Sequence, residues 1–198
     1  LTPGPVPRAA DAPIPVYVSY AWEDASQAFV DEVGQRLPAD RFEFRRDKTH
    51  MRTGDWISHF MAEIGRADRV LVVLSDKYLR SPNCMRELLH LYQRSQGDRA
   101  DLMGRVVAVI PPDLKIDRAI GRAVYIRHWR DEHKALESVF QDLGIAAMGA
   151  ADREEWLAIQ DFQHRVSDIM AWVSDVLMPR GVASLDAAIA RIEACANA

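Results

Sequence analysis

The chain has 198 residues, is 48% hydrophobic and 27% charged, and carries a formal net charge of −4. This length suits one domain with an appendage, and the composition allows a sizeable core. The mild negative balance argues against bulk nucleic-acid binding, and no apolar run reaches transmembrane or signal-peptide form, so neither nucleic acid nor membrane is an expected partner.

The two cysteines, Cys84 and Cys195, are far apart in sequence and show no metal spacing, which fits a reducing, cytoplasmic setting. His50, His90 and His128 show no ligand spacing either, so no metal site is assigned. The chain opens at Leu1 rather than Met, as expected of a piece excised or processed from a longer protein.

Residues 1–14 hold Pro3, Pro5, Pro7 and Pro13 and read as an extended linker. A short strand is expected over 16–20. Asp24 to Gln27 has the form of a capping box, and Phe29, Val30, Val33 and Leu37 follow at helical spacing. A second strand is expected at 42–44. A polar stretch with Arg45, Arg46, Lys48, His50 and Arg52 comes next, then a helix over 55–66 with Ile57, Phe60, Met61 and Ile64 on one face.

Residues 70–74 are β-branched and apolar, the signature of a buried strand. Ser75 ends that run. Ser81 as N-cap and Pro82 at the first helical position start a helix to about residue 94. One carboxylate, Glu87, lies about two turns into it among mostly apolar neighbours. A strand, a loop and a helix carrying a lone acid is the layout of a site at the carboxyl end of a parallel sheet.

Strands are further expected at 106–110, closed by Pro111 and Pro112, and at 123–126, with a helix over 133–143. Five strands separated by helices imply a parallel α/β sheet with right-handed crossovers. After a flexible stretch at 144–151, Asp152 and Glu155 form a second capping-box pattern. Trp156, Ile159, Val166, Met170, Val173 and Leu177 recur at three- or four-residue steps, Pro179 and Gly181 end that helix, and Ser184 starts another. Residues 152–196 therefore read as a helical hairpin with more apolar surface than it can bury alone. Neither GxGxxG nor GxxxxGK[ST] is present, so Rossmann or P-loop binding is not supported.

Three segments, taken together and in order, resemble the Toll/interleukin-1 receptor (TIR) domain family. Residues 16–24, VYVSYAWED, resemble its first strand and following loop. Arg46 and Asp47 through Met51, Gly54 and Trp56 resemble its BB loop and the start of the next helix. Residues 70–88 resemble its third strand and the helix bearing a Ser, a Cys and a Glu. The similarity covers about 14–145, so a TIR domain over 15–145 is expected.

The resemblance implies a flavodoxin-like five-stranded parallel sheet flanked by helices, assembly through TIR–TIR contacts, and one of two jobs. Some members, bacterial ones among them, cleave NAD+ between nicotinamide and ribose, with NAD+ as substrate and no further cofactor. Others are non-catalytic scaffolds in signalling. In the cleaving branch Glu87 matches the catalytic glutamate, and Ser19, Tyr20, Trp22, Ser75, Tyr78, Asn83 and Cys84 stand around it as candidate substrate-binding residues.

Each residue also has a structural reading. Glu87 could be a surface acid paired with Arg86, Ser75 a strand-end cap, Tyr20 a core residue and Cys84 a small packing residue. Many NAD-cleaving relatives carry Trp where this chain has Asn83, which leaves Trp22, Tyr20 or Tyr78 to supply aromatic surface. Arg45, Arg46 and Arg52 could attract a pyrophosphate, meet an acidic face of a second TIR domain, or line a solvated loop. Asp47 and Gly54 suit the turn geometry of that loop, and Trp56 opens the helix beyond it.

Overall fold

The computed structural model describes residues 12–46, 69–95, 104–144, 149–177, 182 and 184–196. Among these residues four strands form one parallel sheet: β1 (Ile14–Tyr20), β2 (Phe42–Arg46), β3 (Arg69–Val73) and β4 (Val106–Val109), in the order β2-β1-β3-β4. The helices are α1 (Asp24–Arg36), α2 (Asp76–Arg80), α3 (Pro82–Ser95), α4 (Ala119–Leu143), α5 (Ala150–Trp172) and α6 (Leu185–Ala196). A π-helical turn, Val173–Leu177, extends α5. The basic loop and the helix expected at 55–66 lie outside the described residues.

Register builds the core. Ser19 of β1 lies opposite Val72 of β3, and Val72 lies opposite Ala108 of β4. Successive side chains alternate between faces. Val16, Val18, Tyr20, Leu71, Val73, Val107 and Val109 therefore enter one apolar cluster, together with Val30 and Val33 of α1. Tyr17, Val70, Val72 and Ala108 enter the other, with Met85, Leu88 and Leu91 of α3 and Phe162, Val166 and Ile169 of α5. Strands covered on both faces need the near-continuous apolar runs that these segments carry.

Two corrections follow. The fifth strand expected at 123–126 does not form: the segment lies inside α4. Tyr125 and Trp129, four residues apart, are both buried and face the core together as a helix requires. Trp129 Nε1 donates to the Leu79 carbonyl at 3.0 Å, which anchors α4 to α2. Among the described residues, Val182 stands beside β4. Val182 forms an isolated parallel bridge to Val109, donating to the Ala108 carbonyl at 2.9 Å and accepting from Ile110 N–H at 3.0 Å.

The helical hairpin expected over 152–196 is likewise split. α5 packs against α3 and α4, while Ala188 and Ile192 of α6 join the α1 cluster on the opposite side of the sheet. Val182, bridged to Val109, lies between these two helices in sequence. The apolar excess of these helices is thus spent on the two faces of the main sheet.

Helix starts differ in detail from the sequence patterns. α1 begins after Glu23, whose carboxylate accepts from the Ser26 hydroxyl at 2.8 Å. α5 begins after Gly149, whose N–H donates to the Asp152 carboxylate at 3.0 Å. At α3 the expectation and the structure agree: Pro82 is the first helical residue, and Ser81 Oγ accepts from Cys84 N–H at 3.4 Å.

Candidate functional site

Strand order reverses direction between β1 and β3, since β2 lies on one side of β1 and β3 on the other. The crevice outside the carboxyl ends of the strands at such a reversal is where parallel α/β sheets bind ligands. Three side chains converge there from three elements. Ser19 comes from the end of β1, Tyr78 from α2 and Glu87 from the second turn of α3.

Ser19 Oγ donates to Glu87 Oε2 in a short contact and shares a 2.7 Å hydrogen bond with Tyr78 OH. Ser19 is 2% exposed, Tyr78 is fully buried, and Glu87 is partly exposed. Burial pushes the Tyr78 phenol well above its ordinary range, the neighbouring Glu87 carboxylate and Cys84 sulfur add to this, and the Ser19 bond opposes it. The phenol therefore keeps its proton throughout the physiological range.

Cys84, one turn before Glu87, is buried. Asn83 is exposed at the start of the same helix, four residues before Glu87. Ser75 is committed to the backbone: it N-caps α2 and its Oγ accepts from Tyr78 N–H at 3.1 Å. Trp22 lies in the loop after β1 and is 44% exposed. Lys77, which nothing in the sequence singled out, donates to the Trp22 carbonyl at 2.6 Å and ties that loop to α2.

The structure does not bring every candidate to Glu87. Tyr20 faces the opposite cluster, and its hydroxyl donates to Gln27 at 3.0 Å. Arg45 donates to Tyr17 OH at 2.6 Å, pairs with Glu43 at 2.7 Å and lies over the Tyr17 ring. Arg46 pairs with Asp31 and stacks over Phe44. Both arginines are bound to their own domain at the start of the basic loop. Asp47, Arg52, Gly54 and Trp56 lie outside the described residues.

Among the described residues no cluster of His, Cys, Asp and Glu is arranged to hold a metal, and no helix is long and apolar enough to cross a membrane.

A parallel sheet flanked by helices on both faces defines an α/β domain. The TIR domain model matches residues 16–143, and the chain belongs to the TIR domain family. No curated protein matches it. Among solved structures, it is similar to the TIR domains of an activated Roq1 resistosome that directly recognises the pathogen effector XopQ. That likeness has a TM-score of 0.53 at 18% identity and covers 91% of this chain and 98% of the other.

Proposed function

We propose that this TIR domain is an NAD+ nucleosidase that cleaves the nicotinamide–ribose bond. The observation that carries the reading is the Glu87 carboxylate, held by Ser19 at the reversal point of the sheet. Nicotinamide in NAD+ is already cationic. When the C1′–N bond breaks, the electron pair leaves with the ring and neutralises it, so no general acid is needed. Positive charge then develops on the ribose, and one fixed carboxylate stabilises it. Water captures the ribose carbon and loses a proton to give ADP-ribose; attack by a nitrogen of the same molecule gives a cyclic product.

In this reading Glu87 is the catalytic residue and the exposed Trp22 offers a ring face to a base. Cys84 and Asn83 shape the wall on α3. The family resemblance adds self-assembly, with the basic loop at 45–56 of one copy completing the site of the next. The name of the similar resistosome supports a role in immune-type signalling.

The test is direct. Concentrated protein incubated with NAD+ should release nicotinamide, read by chromatography, and Glu87→Ala should lower kcat by about 10²-fold or more. Absence of nicotinamide from wild type at concentrations that assemble it would overturn the proposal.

A further inference from the structure

The hydrogen bonds that link Tyr78, Ser19 and Glu87 have one consistent proton order. Ser19 has a single hydroxyl proton, and it is given to Glu87 Oε2. The bond between Ser19 Oγ and Tyr78 OH must then be donated by Tyr78. A phenol that keeps its proton can serve as that donor at every working pH. The order runs Tyr78 O–H to Ser19 O–H to the Glu87 carboxylate.

The three residues are 59 and 68 positions apart in sequence and sit on three different elements. Tyr78 is fixed at both ends, by the Ser75 cap on its backbone N–H and by Ser19 on its hydroxyl. Neither Tyr78, with no exposed surface, nor Ser19, 2% exposed, presents area to a ligand.

We infer that Ser19 and Tyr78 are positioning residues that hold the Glu87 carboxylate ionised and oriented, and that they are not ligands of the substrate. The inference rests on the reading of Glu87 as the catalytic acid. Hydrogen bonds to the charged form favour that form, and in a buried site successive bonds polarise one another. The chain transfers nothing; it supplies a fixed donor where water would otherwise have to reorganise.

The experiment compares wild type with Tyr78→Phe and Ser19→Ala, each of which removes one hydroxyl and little volume. Ser19→Ala should lower kcat roughly ten- to a hundredfold, as expected for losing a bond to a charged group, and Tyr78→Phe, which removes a bond to the neutral Ser19 hydroxyl, roughly two- to tenfold. KM should stay within about twofold, and the acid limb of the pH–kcat profile should rise by about one unit. Raised KM at unchanged kcat would make these residues substrate ligands and overturn the inference, and so would an unmoved acid limb.

A second readout needs no turnover. Titration of the Glu87 side-chain carboxyl by carbon NMR should show its midpoint rising in both variants, and an unmoved midpoint overturns the inference. If wild type releases no nicotinamide, the proposed activity fails by itself and the carboxyl titration still decides the donor chain. If Tyr78→Phe does not fold, Ser19→Ala carries both readouts.

Discussion

Asp76 joins two elements through one carboxylate. Oδ2 accepts from Arg80 Nε at 2.9 Å, Oδ1 accepts from Tyr125 OH at 2.9 Å, and the Arg80 guanidinium lies over the Tyr125 ring. The Arg80 bond, outweighing the cost of burial and aided by Tyr125, holds the Asp76 carboxyl below the usual carboxylate range. A depressed acid binds its proton less readily in the folded chain than in the unfolded one. Its contribution is therefore fully present above about pH 4 and is lost as pH falls through the folded value. Because the side chain is largely solvated, the contribution is small. Asp76→Asn should lower the urea midpoint slightly at pH 7, and the gap from wild type should narrow as the pH falls below about 4.

Trp22 offers the opposite case, a large ring left exposed beside the site. Trp22→Ala should leave the melting temperature nearly unchanged and raise KM for NAD+ roughly tenfold, the worth of one stacked base. An unchanged KM would remove Trp22 from the site. At this scale the sequence is legible where chemistry is local. Ser81 and Pro82 announce the start of α3, and they do start it. The Ser19–Glu87 contact is not legible, because it depends on how β1 and α3 are placed across 68 residues.

Among elements, α3 matters most because it carries Glu87. Its first turn rests on the Ser81 hydroxyl, and Ser81→Ala should cost about 1 kcal/mol in chemical denaturation. The start of α4 shows why short apolar runs mislead. Residues 123–126 have the β-branching of a strand, yet Tyr125 and Trp129 fall on one helical face and both are buried there. Gly121 lets the helix begin tightly against the preceding loop, where a Cβ would stand 1.7 Å from the Lys115 carbonyl. α4 and α5 then run together, with Trp129 edge-on to Phe162 at 5.1 Å and Phe140 edge-on to Trp156 at 6.2 Å. Phe162→Ala, at a fully buried position in this contact, should cost about 3–5 kcal/mol.

For the whole molecule, a parallel sheet follows from strands that alternate with helices, whereas the order β2-β1-β3-β4 leaves no mark in periodicity. The edge was hidden. One residue, Val182, has no periodicity to read, and its pairing with β4 depends on α4 and α5 returning the chain to that side. The two apolar clusters show what this path does: α5 closes one face of the sheet and α6 the other. Truncation after Leu177 should therefore lower the melting temperature of the entire domain and leave no independently folded remainder, as scanning calorimetry would show.

The bridge at Val182 has one more consequence. A parallel sheet ending at β4 would present open N–H and C=O groups along that strand, a template on which another chain can add. Val182 occupies the Ala108 carbonyl and the Ile110 N–H at that margin. A chain that lost this cover would be exposed to indiscriminate strand addition and precipitation, in competition with the ordered self-assembly proposed above.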